Sequence, residues 1–306
     1  MAPPIPLSAL AVLAVLGGAV VGACTGPDPS DAPSVLTTAP ERFAVATVAL
    51  SSARPQGTAV AQAYFVEHPP GERGALLDFL HVPGAAVAFD AGLAVDTCVV
   101  THPRAPSQAV LLDAGELTVE TAESETILDS SYIPDGYMRV AGLAYEGTVD
   151  LGAHASGTFV LAAAGSDEVG PFAVTLNAPP AVRLLSIGGE SAERGRVLLA
   201  DELRQGRGLA VAWEAPSSPY EGVLAEDVAV VTYERRGFGE EWTVACAVKD
   251  DGNFVIPAPA LQGLADLGDD ATDRVVVRRI AGASFAAAGI PEGLALAISE
   301  DAAYVE

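Results

Sequence analysis

From residue 42 onward, apolar positions recur with a period of two rather than 3.6. Alternation of this kind puts successive side chains on opposite faces of an extended chain, so it predicts strands. The clearest runs are residues 43–50, 58–66, 93–101, 116–119, 157–163 and 172–176, separated by Gly, Pro, Asp and Asn. In the second half, Leu209, Val211 and Trp213 share one face, and residues 227–233 form a second run. Trp242, Val244, Cys246 and Val248 share a face in a third, followed by a short apolar run at 254–256 and a further strand at 274–279. The Asp-Gly in Asp250-Asp251-Gly252-Asn253 predicts a hairpin between the 242–248 and 254–256 strands. Helical periodicity is confined to residues 259–267, with 291–298 ambiguous, and no repeat of fixed period is present.

Many short strands at regular spacing predict an all-β fold of sandwich type. Asn177-Ala178-Pro179-Pro180 is the best internal boundary, because paired prolines cannot donate to a ladder and stiffen a linker. The expectation is two β-sandwich domains, at 41–178 and 181–306. Leu209–Trp213 followed by Glu-Ala-Pro and a Val-x-Val-x-Thr-Tyr strand resembles the B and C strands of fibronectin type III and immunoglobulin-like sandwiches. The resemblance covers about half of the second domain. It implies a buried tryptophan in the core, and it departs at Arg274, which stands where that fold's corner tyrosine would fall.

The first 23 residues carry no charged side chain, and residues 7–21 form an apolar stretch interrupted by Gly17 and Gly18. This is short for a membrane span and reads as a signal-peptide core. It ends in Val21-Gly22-Ala23-Cys24, which resembles the lipobox of bacterial lipoproteins. That resemblance implies cleavage between Ala23 and Cys24 and a diacylglyceryl group on the Cys24 sulfur. Residues 1–10 lack the Lys or Arg usual in the family, and an ordinary secretory signal is the alternative. Thr25 after the cysteine resembles lipoproteins sorted to the outer membrane. Residues 24–40 are rich in Pro, Ser, Thr and Asp, a composition that cannot bury apolar area, so they read as a disordered tether.

Composition then narrows the function. The 306 residues carry 16 basic and 40 acidic side chains, a net charge of -24, and Lys249 is the only lysine. Residues 24–182 hold 5 basic and 19 acidic groups, and residues 183–306 hold 11 and 21, so acidity is a property of the whole surface. Nucleic acid and anionic lipid surfaces are thereby excluded as partners. Two cysteines remain after Cys24. Cys98 and Cys246 are either a disulfide, as an oxidising compartment permits, or two buried free thiols, since they fall in different predicted domains. His68, His81, His102 and His154 show no metal-ligand spacing and read as surface or turn residues. Asp266, Asp269, Asp270 and Asp273 crowd one loop and are a candidate calcium site without the EF-hand pattern. No nucleophile elbow, P-loop or dinucleotide fingerprint is present, so no catalytic residue and no cofactor are assigned.

The expectation is a non-enzymatic cell-envelope lipoprotein, anchored to the membrane by lipid and presenting β-sandwich modules to a protein or glycan partner. The alternatives are an exported hydrolase or carbohydrate-active enzyme with a catalytic N-terminal domain, and a calcium-stabilised adhesion module.

Overall fold

The structure is a computed structural model that describes residues 39–51, 57–82, 93–101, 106, 108–134, 139–151, 157–193, 195–198, 208–237, 240–262 and 271–306. All of them belong to one compact unit that starts at Thr38. Residues 1–38, with the expected signal segment, Cys24 and nearly all of the expected tether, lie outside the described residues, as do Asp266, Asp269, Asp270, His102 and His154.

The chain opens with strands β1 (Glu41–Ser51) and β2 (Thr58–His68) and helix α1 (Arg73–Phe79). Short strands follow: β3 (Thr97–Thr101), β4 (Ala109–Leu111), β5 (Leu117–Glu120), β6 (Glu125–Ile127) and β7 (Asp129–Ile133). Next come β8 (Val140–Asp150), β9 (Thr158–Ala163), β10 (Phe172–Asn177), β11 (Leu184–Ile187), β12 (Glu190–Ser191) and β13 (Arg196–Val197). The last part contains β14 (Leu209–Trp213), β15 (Val228–Gly237), β16 (Glu240–Lys249) and β17 (Asn253–Ile256). Helix α2 (Ala258–Gln262) precedes two long strands, β18 (Thr272–Ala287) and β19 (Ile290–Val305).

These strands build an all-β fold of three sheets. The large one has eleven strands in the order β3-β16-β15-β18-β19-β1-β2-β4-β8-β7, with β2 also pairing β8 and β13 also pairing β19. Two four-stranded sheets, β10-β9-β5-β6 and β12-β11-β14-β17, pack side by side on one face of it. At about 3.3 Å per residue, the 16-residue strands β18 and β19 are about 50 Å long, enough to serve both small sheets.

Side-chain parity shows how one strand serves two cores. Val275 and Val277 of β18 enter the core under β11, β14 and β17, whereas Ala283, Phe285 and Ala287 pack on the core under β5, β9 and β10. In β19, Ala303 and Val305 enter the former and Ala295 and Ala297 the latter. All these positions are odd-numbered and so face the same way. Even-numbered Ile280, Leu296 and Ile298 point to the other face, where Leu76, Leu77 and Leu80 of the α1 region cover the middle of the sheet.

The division into separate bodies at 41–178 and 181–306 is therefore corrected. β1 pairs in parallel with β19 from Ala44↔Gly293 to Ser51↔Glu300, so the first and last strands are neighbours in one sheet. Pro179-Pro180 marks a crossing between the two small sheets rather than a linker between independent folds. Non-local strand pairing leaves no local sequence signal, which is why the prolines read as a boundary.

The hairpin expected around Asp250–Asn253 is also corrected. β16 pairs with β15 and β3, whereas β17 pairs with β14 in a different sheet. Gly252, at φ +96°, instead carries the chain across the sandwich, and its carbonyl accepts a bond from the Trp213 amide. β15 pairs with its sequence neighbour β16, and a tight hairpin joins β18 to β19, where Gly289 sits at φ +82°. Helix α1 was not anticipated; its signal is the Leu76, Leu77, Leu80 spacing, compressed into only two turns.

Candidate functional site

Where the two cores meet, the shared face of the large sheet is polar. Arg279 of β18 stands directly opposite Ser299 of β19, between the two apolar stretches of both strands. The Arg279 guanidinium is 1% exposed and the Asp250 carboxylate is fully buried. Arg279 Nε donates to Asp250 Oδ2 at 2.6 Å and Nη2 to Oδ1 at 3.1 Å. The same guanidinium donates to the carbonyls of Ala181 and Glu214. Asp250 Oδ1 also accepts from Trp213 Nε1 at 2.7 Å. Nearby, Ser299 Oγ accepts from the Val182 amide and Asp301 Oδ2 from the Leu184 amide. The crossing after Pro180 is thus stitched to the sheet by side chains. The guanidinium thus ties Asp250 to two backbone carbonyls, which makes this seam a structural lock.

On the opposite face, β15, β18 and β19 carry a ladder of alternating charge. Arg278 donates to Glu300 at 2.9 Å, to Thr232 at 2.9 Å and to Glu234 at 3.1 Å. Arg274 lies 3.6 Å from Glu234 and 4.0 Å from Glu300, and Arg236 pairs with Glu241 at 2.9 Å. Glu234 Oε2 makes no hydrogen bond among the described residues and is held by charge from Arg274 and from Arg236 at 3.8 Å. Burial pushes the Glu234 carboxyl up, but Arg278, Arg274 and Arg236 together outweigh it and hold it below the usual carboxylate range. Glu234 therefore stays ionised at neutral pH and is not poised to exchange a proton. The charges at the centre of the ladder are thus spent on one another.

A third polar centre lies at the other end of the fold. Tyr145 Oη donates to Asp113 Oδ1 at 2.9 Å and accepts from the Ala114 amide at 2.9 Å. Burial first, and then the nearby Asp113 and Glu168 carboxylates, push the phenol up to about 12. Ser166 Oγ donates to the Asp113 carbonyl, and Gly165 backs onto Gly115. This arrangement closes a loop pair.

Of the residues singled out in the sequence, Cys98 and Cys246 are joined in a disulfide, which decides between the bridge and two free thiols. They meet, across the expected domain boundary, because β3 adds to the edge of the large sheet beside β16, with Cys98 directly opposite Cys246. Asp273 faces Arg235 at 3.4 Å, and burial pushes its carboxyl above the usual range. It is the one member of the aspartate-rich loop within the described residues. His68 is corrected from a surface reading: it is 1% exposed, edge-on to Phe43, with Nδ1 2.6 Å from the Pro69 carbonyl. His81 is exposed, at φ +50°, 4.0 Å from Glu241. Among the described residues no three His, Cys, Asp or Glu side chains are placed to hold a metal ion, and no helix is long and apolar enough to cross a membrane.

The described residues line two shallow depressions, among others. One of about 320 Å³ is lined by Arg196, Thr272, Tyr304 and Glu306, and one of about 610 Å³ by Arg42, Arg73 and Glu292. Their arginines are already engaged, Arg196 with Glu306 at 3.1 Å and Arg73 with Glu292 at 2.8 Å.

Comparison with protein-family models, with curated proteins and with solved structures gives no match. Fold and chemistry carry the functional argument alone.

Proposed function

We propose that the chain is an exported, lipid-anchored protein of the bacterial cell envelope that works by binding rather than by catalysis. The observation that carries the reading is the Cys98–Cys246 disulfide, because disulfides form mainly in oxidising compartments outside the cytosol. The lipobox-like Val21-Gly22-Ala23-Cys24 and the Pro- and Ser-rich residues 24–40 supply the anchor and the spacer. β1 begins at Glu41, directly after that spacer. A β-scaffold on such a tether would present its sheet edges and the exposed Arg236 end of the charge ladder to a protein or glycan partner.

The test is metabolic labelling with a palmitate analogue, combined with membrane fractionation in a bacterial host. Wild type should be labelled and sediment with membranes, and Cys24→Ala should do neither. An unlabelled wild type, or label that persists in Cys24→Ala, overturns the anchor.

A further inference from the structure

We propose that the Cys98–Cys246 bridge is a thiol-exchange site, a latch on the edge strand β3 that a dithiol donor opens through Cys98. β3 is the terminal strand of the large sheet and, among the described residues, pairs only with β16. It is five residues long, and Thr97, Val99 and Val100 are exposed, Val99 at 41% and Val100 at 45%. Cys98 is the one β3 side chain that packs against a core. An edge strand that buries so little gains little from the hydrophobic effect to offset the entropy of ordering its backbone. The covalent bond therefore decides whether β3 stays in place.

What β3 covers is very different. In β16, Val244, Ala245, Cys246, Ala247 and Val248 are all 4% exposed or less. With β3 lifted away, β16 becomes the sheet edge, a ten-residue apolar strand with unpaired backbone groups, which is a template for strand addition.

The two sulfurs are not equivalent. Cys246 is fully buried in the core, whereas Cys98 is half-buried on the edge strand. An incoming thiolate meets the Cys98 sulfur first. The S–S bond breaks, its electron pair goes to Cys246 Sγ, and that sulfur takes up a proton within the core. The donor's second thiol then displaces Cys98 as a thiol and leaves as the donor's own disulfide. One protein disulfide and one dithiol give two protein thiols and one donor disulfide, so electrons and protons balance. No other cysteine is available within residues 39–306 to reshuffle with the pair.

The experiment uses the folded full chain, oxidised or reduced with dithiothreitol at neutral pH, followed by amide hydrogen exchange. Alkylation and mass measurement verify the thiol count. On reduction, amides of residues 97–101 and their β16 partners should exchange faster by on the order of tenfold or more, while β18 and β19 keep their protection. Brief exposure of the oxidised chain to glutathione should give a mixed disulfide on Cys98. The proposal is overturned by unchanged protection at 97–101 with both thiols free, or by loss of protection throughout β18 and β19. A bond that resists dithiothreitol until denaturant is added, or an adduct on Cys246, overturns it as well.

Discussion

Replacing Arg279 by methionine tests the seam between the two cores. The substitution keeps an unbranched side chain of similar reach but removes the guanidinium. Lost with it are two bonds to Asp250 and the bonds to the Ala181 and Glu214 carbonyls. Asp250 is then left as a buried carboxylate with no cationic partner in the node, its side-chain partners being Trp213 Nε1 and the Tyr220 hydroxyl. Breaking a buried pair from one side costs about 3–5 kcal/mol, because the surviving charge is desolvated without compensation. For a body of this size each kcal/mol moves the midpoint by about 2–4 °C, so Arg279→Met should melt about 6–20 °C below wild type. Guanidinium denaturation followed by tryptophan fluorescence is the direct assay, since Trp213 reports from within the node. Asp250→Asn should also destabilise. The double variant should cost less than the sum of the two singles, by about 2 kcal/mol, since one deletion removes the reason for the other's penalty. Arg279→Met within about 1 kcal/mol of wild type, or strict additivity, would refute the idea that this pair locks the two halves.

Two further substitutions probe the other polar centres. The folded-state pKa of Glu234 lies below its unfolded value, so its contribution is complete above the ordinary carboxylate pKa and is lost as pH falls through the folded value. Glu234→Gln should lower stability by about 1–3 kcal/mol at pH 7 and flatten the acid limb of the stability profile, and an unchanged acid limb would count against the ladder. Tyr145 is shifted the other way, up to about 12, so its contribution is complete below the ordinary phenol value of 10.0 and fades as pH rises toward 12. Tyr145→Phe should cost about 1–2 kcal/mol at neutral pH and remove that part of the alkaline loss, read by urea midpoints at pH 8 and pH 11.

Local chemistry was legible in the sequence wherever a residue's neighbours in the chain decide its fate. Alternation placed β1, β2, β9, β10 and β14 almost to the residue, because a half-buried strand writes its period directly into the sequence. The same alternation puts Leu209, Val211 and Trp213 on one face, and all three are buried. The charge ladder was not legible. Glu234, Arg278 and Glu300 are separated by 44 and 22 residues, and only the pairing of β15 with β18 and of β18 with β19 puts them side by side. The Arg279–Asp250 lock was hidden in the same way, behind a turn motif that suggested a hairpin.

The sequence by itself determined the secondary-structure class and the acidic character, because each depends on composition or on period. Tertiary structure decided that 41–178 and 181–306 share one sheet and that Cys98 meets Cys246. It also decided that polar residues in the middle of two apolar strands form a seam. Strand pairing is made by backbone hydrogen bonds common to every residue, so partner choice over 100 or more positions leaves almost no mark on either strand alone.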